Sequence, residues 1–197
     1  MSPSAAFGLR LGSQVGVGVG FKWVRADLAP AAVTRDGEAG VGTAPAFDLG
    51  LLLRFPEART NIGVNFQNIG PGLTFIDEEQ SDPLPRNLKI GVGVWPLAHE
   101  SIGVVVAADL NKPFVSLDDG PILNFGGELS MWSDLYEFAF RAGWVYEGWF
   151  QELDPINGPS FGLGGRFGMF SVDIASRPRA PDLDGVWVLS IGVEGPR

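Results

Sequence analysis

Val15-Gly16-Val17-Gly18-Val19-Gly20-Phe21-Lys22-Trp23 places a bulky apolar residue at every odd position and a glycine or lysine at every even one. Side chains alternate across a β-strand with period two, so this stretch has one apolar face and one face of small residues and a charge. The same alternation recurs at Ala6 to Leu11, Ala46 to Phe55, Thr60 to Asn68, Leu88 to Trp95, Ile102 to Asn111, Leu123 to Trp132, Glu137 to Val145, Ser160 to Phe167, Phe170 to Ala175 and Val186 to Val193. Most of these segments approach the about nine to eleven residues that a tilted membrane strand needs. The pattern predicts about eleven strands and an all-β chain.

Parity sorts the strand residues into two sets. One holds Phe47, Leu49, Leu51, Ile62, Val64, Ile90, Val92, Val104, Val106, Phe138, Phe140, Phe161, Leu163, Val172 and Ile174. The other holds Lys22, Asp48, Arg54, Lys89, Asp109, Glu128, Arg141, Arg166 and Asp173, with Asn61, Asn65, Gln67, Asn124 and many glycines between them. The outer faces of a soluble sandwich carry Thr, Lys, Glu and Ser in water, and glycine there only weakens the strand. Around the lumen of a barrel, by contrast, glycine lets backbones and side chains approach closely. The expectation is therefore an antiparallel up-and-down transmembrane β-barrel, residues 1–197 forming one domain, with the nine charged residues facing the lumen. A soluble β-sandwich binding module is the alternative from a different class.

Loop lengths bear on the same choice. Long connections at Ala26 to Pro45, Ile69 to Asn87, Lys112 to Ile122, Tyr146 to Pro159 and Ser176 to Gly185 alternate with tight ones at Gly12 to Gln14, Pro56 to Arg59, Pro96 to Ser101, Ser133 to Tyr136 and Gly168 to Met169. A meander with that alternation puts every long loop at one end, as in outer-membrane barrels with long extracellular loops and short periplasmic turns. The long loops hold fourteen acids and five bases, which accounts for the whole net charge of -9. The strands and tight turns are then neutral overall, which suits a spanning region because an unpaired charge near the midplane is costly. Trp23, Phe55, Trp132, Trp144, Trp149 and Trp187 lie near strand ends, where interfacial aromatics belong.

The wider composition excludes several classes. Hydrophobic residues make up 45% and charged residues 19%, too apolar and too weakly charged for disorder. The acidic balance lacks the Lys/Arg surplus of a nucleic-acid binder. With no Cys there is neither a disulfide nor a thiolate metal site. No window of about 18 uncharged apolar residues offers a transmembrane helix.

Longer phrases carry a family resemblance. Phe47-Asp48-Leu49-Gly50-Leu51-Leu52-Leu53-Arg54-Phe55, Asn65-Phe66-Gln67-Asn68-Ile69-Gly70-Pro71, Asp82-Pro83-Leu84-Pro85-Arg86-Asn87-Leu88-Lys89-Ile90-Gly91, Ala108-Asp109-Leu110-Asn111-Lys112-Pro113 and Arg141-Ala142-Gly143-Trp144 occur in this order. Together they resemble the PorV/PorQ family, FadL-like outer-membrane barrels of roughly fourteen strands, some of them parts of the type IX secretion system. The resemblance implies that this chain is the C-terminal part of a larger barrel, with about three strands and a signal peptide upstream. It implies a non-enzymatic protein of the bacterial outer membrane, in contact with lipid and with other secretion or envelope proteins, acting in protein secretion or surface attachment. A FadL-like conduit for hydrophobic small molecules is the alternative within the same superfamily.

Few residues suggest chemistry. His99, the only histidine, sits in a tight turn beside Glu100 and Ser101, without the braced cleft that a catalytic triad needs. Asp77, Glu78, Glu79 and Asp82 offer hard oxygen ligands but lack the spacing and turn glycine of an EF-hand, and read as a solvated acidic loop and candidate partner surface. Gly16 to Gly20 is followed by no Gly-Lys-Ser/Thr, so no phosphate loop is present. No catalytic residue, metal or cofactor is expected. Two motifs, Asn68-Ile69-Gly70-Pro71 and Asn111-Lys112-Pro113, close strands at the long-loop end. Strand termination explains them, and contact with a partner is the other reading. The lumenal set carries four acids and five bases, a balance that favours internal pairing over a charge-selective pore.

Overall fold

A computed structural model describes residues 3–29, 40–74, 81–114, 120–147, 156–179 and 185–193. Its first strands are β1 (Ser4–Leu11), β2 (Val15–Ala29), β3 (Gly40–Phe55) and β4 (Thr60–Ile69). A short ladder follows, β5 (Leu73–Thr74) with β6 (Ser81–Asp82). Then come β7 (Asn87–Ala98), β8 (Ile102–Pro113), β9 (Ile122–Trp132), β10 (Tyr136–Tyr146), β11 (Asn157–Phe167), β12 (Phe170–Arg177) and β13 (Val186–Val193). No helix occurs among the described residues.

Eleven of these strands form one antiparallel sheet in chain order, β1-β2-β3-β4-β7-β8-β9-β10-β11-β12-β13. Among the described residues no ladder closes this sheet into a ring. All eleven strands expected from the alternation are present, and several are longer than the pattern alone suggested. By contact density the chain divides into two compact units. The first comprises Met1–Leu53, Gly63–Lys89 and Pro113–Leu117, and the second Arg54–Ile62, Ile90–Lys112 and Asp118–Arg197.

The largest difference from expectation lies in the first unit. The connection expected over Ala26 to Pro45 is partly strand, because the β2–β3 ladder runs on past Trp23↔Pro45 to Ala29↔Gly40, with an irregularity between Asp27 and Ala29. Pro45 does not stop it, for a geometric reason. The Trp23 N–H donates to the Pro3 carbonyl at 3.0 Å, so backbone polar groups at this level of β2 point toward β1 and away from β3. Trp23 and Pro45 are thus a non-hydrogen-bonded pair, and the N–H that proline lacks is not needed between them.

This extension carries a small core. Ala44 and Ala46, on β3, are buried together with Leu73 of β5 and Leu84, and Val24 and Ala26 of β2 pack against them. Leu73 and Leu84 are therefore packed onto the hairpin rather than standing free. Gly70 is required there, since a Cβ at that position would collide with the Pro45 carbonyl oxygen and lie 3.0 Å from Leu84 Cδ1.

Tight turns close the β1–β2, β3–β4, β7–β8, β9–β10 and β11–β12 connections. Gly12 and Gly168 adopt φ of 73° and 59°, and Arg59 adopts 49°, the left-handed geometry that short hairpin turns demand. His99 N–H donates to the Ile102 carbonyl at 2.9 Å, fixing the turn between β7 and β8.

Candidate functional site

The sheet register shows how the two sets of side chains are arranged. In the first unit, Val17 faces Leu51, Val19 faces Leu49, and Phe21 faces Phe47 with ring centroids 5.4 Å apart. In the second unit, Phe138 faces Met131, Phe140 faces Leu129, and Trp144 faces Phe125. All these large apolar side chains are exposed, as are Phe161 at 59% and Ile191 at 73%. The buried hydrophobic residues among those described are only Ala44, Ala46, Leu73, Leu84 and Ala139. The protein thus exposes its bulky apolar residues and buries mainly small ones, the reverse of an interior close-packed with large side chains.

The opposite face carries the charges, and most are paired. In the first unit, Lys22 Nζ lies 2.8 Å from Asp48 Oδ2, and the other oxygen of Asp48 accepts the Asn68 N–H at 2.8 Å. In the second unit, Asn124 Nδ2 donates to Asp109 Oδ1 at 2.9 Å. Arg141 donates through Nε to Glu128 at 2.6 Å and through Nη1 to Asp173 at 2.7 Å. Arg166 pairs with Glu137 at 2.6 Å. Arg54 on β3 and Lys89 on β7 form no ion pair with a described residue.

Glycine makes these pairings possible. Successive rows across β9, β10, β11 and β12 read Glu128–Arg141–Gly162–Ala175 and Ser130–Ala139–Gly164–Asp173. A Cβ on Gly164 would stand 2.6 Å from Asp173 Oδ1 and 3.0 Å from Arg141 Nη1. The missing side chains of β11 leave the space through which Arg141 reaches β12. Glu137, Arg141, Arg166, Ser171 and Asp173 line a cleft of about 190 Å³, and a second of about 430 Å³ lies over Asp109, Asn124, Gly126 and Gly143.

Glu137 belongs to this polar face but was not among the residues singled out from the sequence. Its parity with Ala139 and Arg141 was the available signal, hidden because Glu137 opens its strand next to a tight turn. Of the acidic loop residues, Asp77, Glu78 and Glu79 lie outside the described residues, while Asp82 is exposed on β6 and faces Leu73. Among the described residues no three His, Cys, Asp or Glu side chains are arranged to hold a metal ion.

The two closing motifs differ. Asn68 adopts φ of 58°, and its amide Nδ2 donates to the Pro85 carbonyl at 2.6 Å. It turns the chain out of β4 and ties down the far end of the loop that Gly70 and Pro71 begin. Asn111-Lys112-Pro113 forms the last three residues of β8, with Asn111 facing Ile122. Just beyond it in the first unit, Phe114 donates its N–H to the Arg86 carbonyl at 2.8 Å and sets its ring edge-on to Phe66 at 6.2 Å.

No family model matches the chain, and no curated protein matches it significantly.

Proposed function

We propose that the eleven strands form all or part of the wall of a transmembrane β-barrel in a bacterial outer membrane. The protein acts there as a non-enzymatic component of PorV/PorQ type in protein secretion or surface attachment. The observation that carries this reading is the exposed apolar face. Strand after strand offers Phe, Leu, Val, Ile and Trp outward while charges pair on the other face. Lipid tails satisfy such a surface and water does not. A soluble sandwich would instead have to bury that face against a second sheet.

The paired charges favour a surface role over conduction, because a selective pore is built from charges of one sign. The long loops, which hold the protein's net negative charge, are then the surface that meets other envelope proteins. Two measurements test the reading. The protein should resist alkaline extraction from outer-membrane fractions and stay folded only in detergent or lipid. Replacing Asp77, Glu78, Glu79 and Asp82 with Asn or Gln should weaken capture of its envelope partner while leaving the strands folded. A protein that is monodisperse in plain buffer refutes the membrane assignment, and unchanged capture after these replacements shifts preference to a conduit for hydrophobic molecules.

A further inference from the structure

We propose that Arg141 is an electrostatic stopper on the polar face of β9 to β12, holding two carboxylates that would otherwise draw cations along that face. The inference rests on the barrel reading above and deepens it, since it assigns the low ion conductance of that reading to one side chain.

Arg141 spans more of the sheet than its own ladder partners. Its Nε reaches Glu128 on the neighbouring β9, while its Nη1 reaches Asp173 on β12, across the whole width of β11. Gly162 and Gly164 occupy β11 where the guanidinium passes. A planar guanidinium with several fixed donors suits this double engagement, which a lysine ammonium on one flexible stem reproduces poorly.

The charges are also reachable. Arg141, Glu128 and Asp173 are 44%, 32% and 45% exposed, and Arg141 and Asp173 line the cleft of about 190 Å³. Solvent and small ions therefore have access to them. Among their neighbours Arg166 is bound to Glu137, while Asp109 accepts a hydrogen bond from the neutral amide of Asn124 and keeps its own charge. Among the described residues no second base is in salt-bridge contact with Glu128 or Asp173. Without Arg141 the pair becomes a two-carboxylate site with no counter-charge, the arrangement by which pores prefer cations.

The test is planar-bilayer recording of the reconstituted protein under a KCl gradient, comparing the native chain with Arg141→Gln. The native protein should be nearly silent. Arg141→Gln should show currents whose reversal potential reports a preference for K⁺ over Cl⁻ on the order of tenfold, set by the unit charge lost from a hydrated contact. Adding Glu128→Gln and Asp173→Asn to that variant should lower the preference, leaving only the contribution of Asp109, while the current persists. A silent native protein with a silent Arg141→Gln variant, or a variant current with no ion preference, overturns the stopper and leaves the surface-acting barrel standing. Large native currents overturn both. If Arg141→Gln does not insert, Arg141→Met replaces it, with the same cation preference expected and a silent or unselective folded variant overturning the proposal.

Discussion

Asp48 and Asn68, twenty residues apart, are joined by a 2.8 Å hydrogen bond from the Asn68 N–H to the Asp48 carboxylate, at the point where β4 turns out of the sheet. The same carboxylate holds Lys22 through its other oxygen, also at 2.8 Å. One side chain of β3 thus fixes β2 on one side and the end of β4 on the other, and it does so beside the small core of Ala44, Ala46, Leu73 and Leu84.

Replacing Asp48 with Ala should therefore cost about 1 to 3 kcal/mol, the usual penalty when a partly buried donor and a charge lose their common acceptor. Asp48→Asn keeps an acceptor for the Asn68 N–H and should lose less. Denaturant unfolding in detergent, followed by tryptophan fluorescence, separates the two. Equal stability of Asp48→Ala and the native protein would show that the contact contributes nothing.

Glycines on the two faces should differ in their tolerance of one methyl group. A Cβ on Gly126 would lie 2.7 Å from the Ala142 carbonyl oxygen and 3.0 Å from Gly143 Cα, so backbone must move. On Gly165 the nearest atoms are Phe138 ring carbons at 3.8 Å, an ordinary contact. Gly126→Ala should destabilise by about 1 to 3 kcal/mol, the typical cost of overpacking, and Gly165→Ala should be close to neutral. Midpoints that fall together would contradict the close approach of β9 and β10.

The apolar face can be probed by charge. Val92, exposed on β7, should tolerate Arg poorly, at roughly 2 to 4 kcal/mol for a lipid-facing position near the midplane. Gly63, where an added Cβ meets nothing within 4 Å, should accept Ser with little effect. Folding yield into lipid vesicles reads the contrast, and similar yields for the two variants would remove the basis for a lipid-facing side.

Topology has its own test, made simple by the absence of native cysteine. Single cysteines at Asp82, exposed on β6, and at His99, in the tight turn after β7, should react differently with a membrane-impermeant thiol reagent on intact cells. The cysteine at 82 should label and the one at 99 should not. Equal labelling would reverse or abolish the assigned orientation.

Period-two alternation was enough to find the strands, because it depends only on which side of the backbone a residue stands. It located all eleven main strands, and the tight turns at Gly12 and Gly168 came with them. The length of the β2–β3 hairpin was not legible. Pro45 and the charges at Arg25 and Asp27 look like loop signals until the ladder shows which way the Trp23 N–H points. Parity also assigned Arg141, Glu128 and Asp173 to one face, but not to one cluster. Their meeting depends on the register of three ladders, which the turns and loops between consecutive strands set and which alternation within one strand does not show. The packing of Leu84 against Ala44 and Ala46 joins segments far apart in sequence and was hidden as well.

The glycine-lined polar face gives the chain an asymmetric mutational landscape. At Gly126, Gly143 and Gly164 there is no smaller natural residue, so every missense change adds atoms where neighbouring backbone or charged groups already stand within about 3 Å. On the apolar face, Leu51, Phe140 and Ile191 point outward into open space, and exchange among aliphatic and aromatic residues alters no close contact of that kind. Genetic drift in this protein should therefore vary size freely on the apolar side while holding Gly126, Gly143 and Gly164 at the minimum on the other.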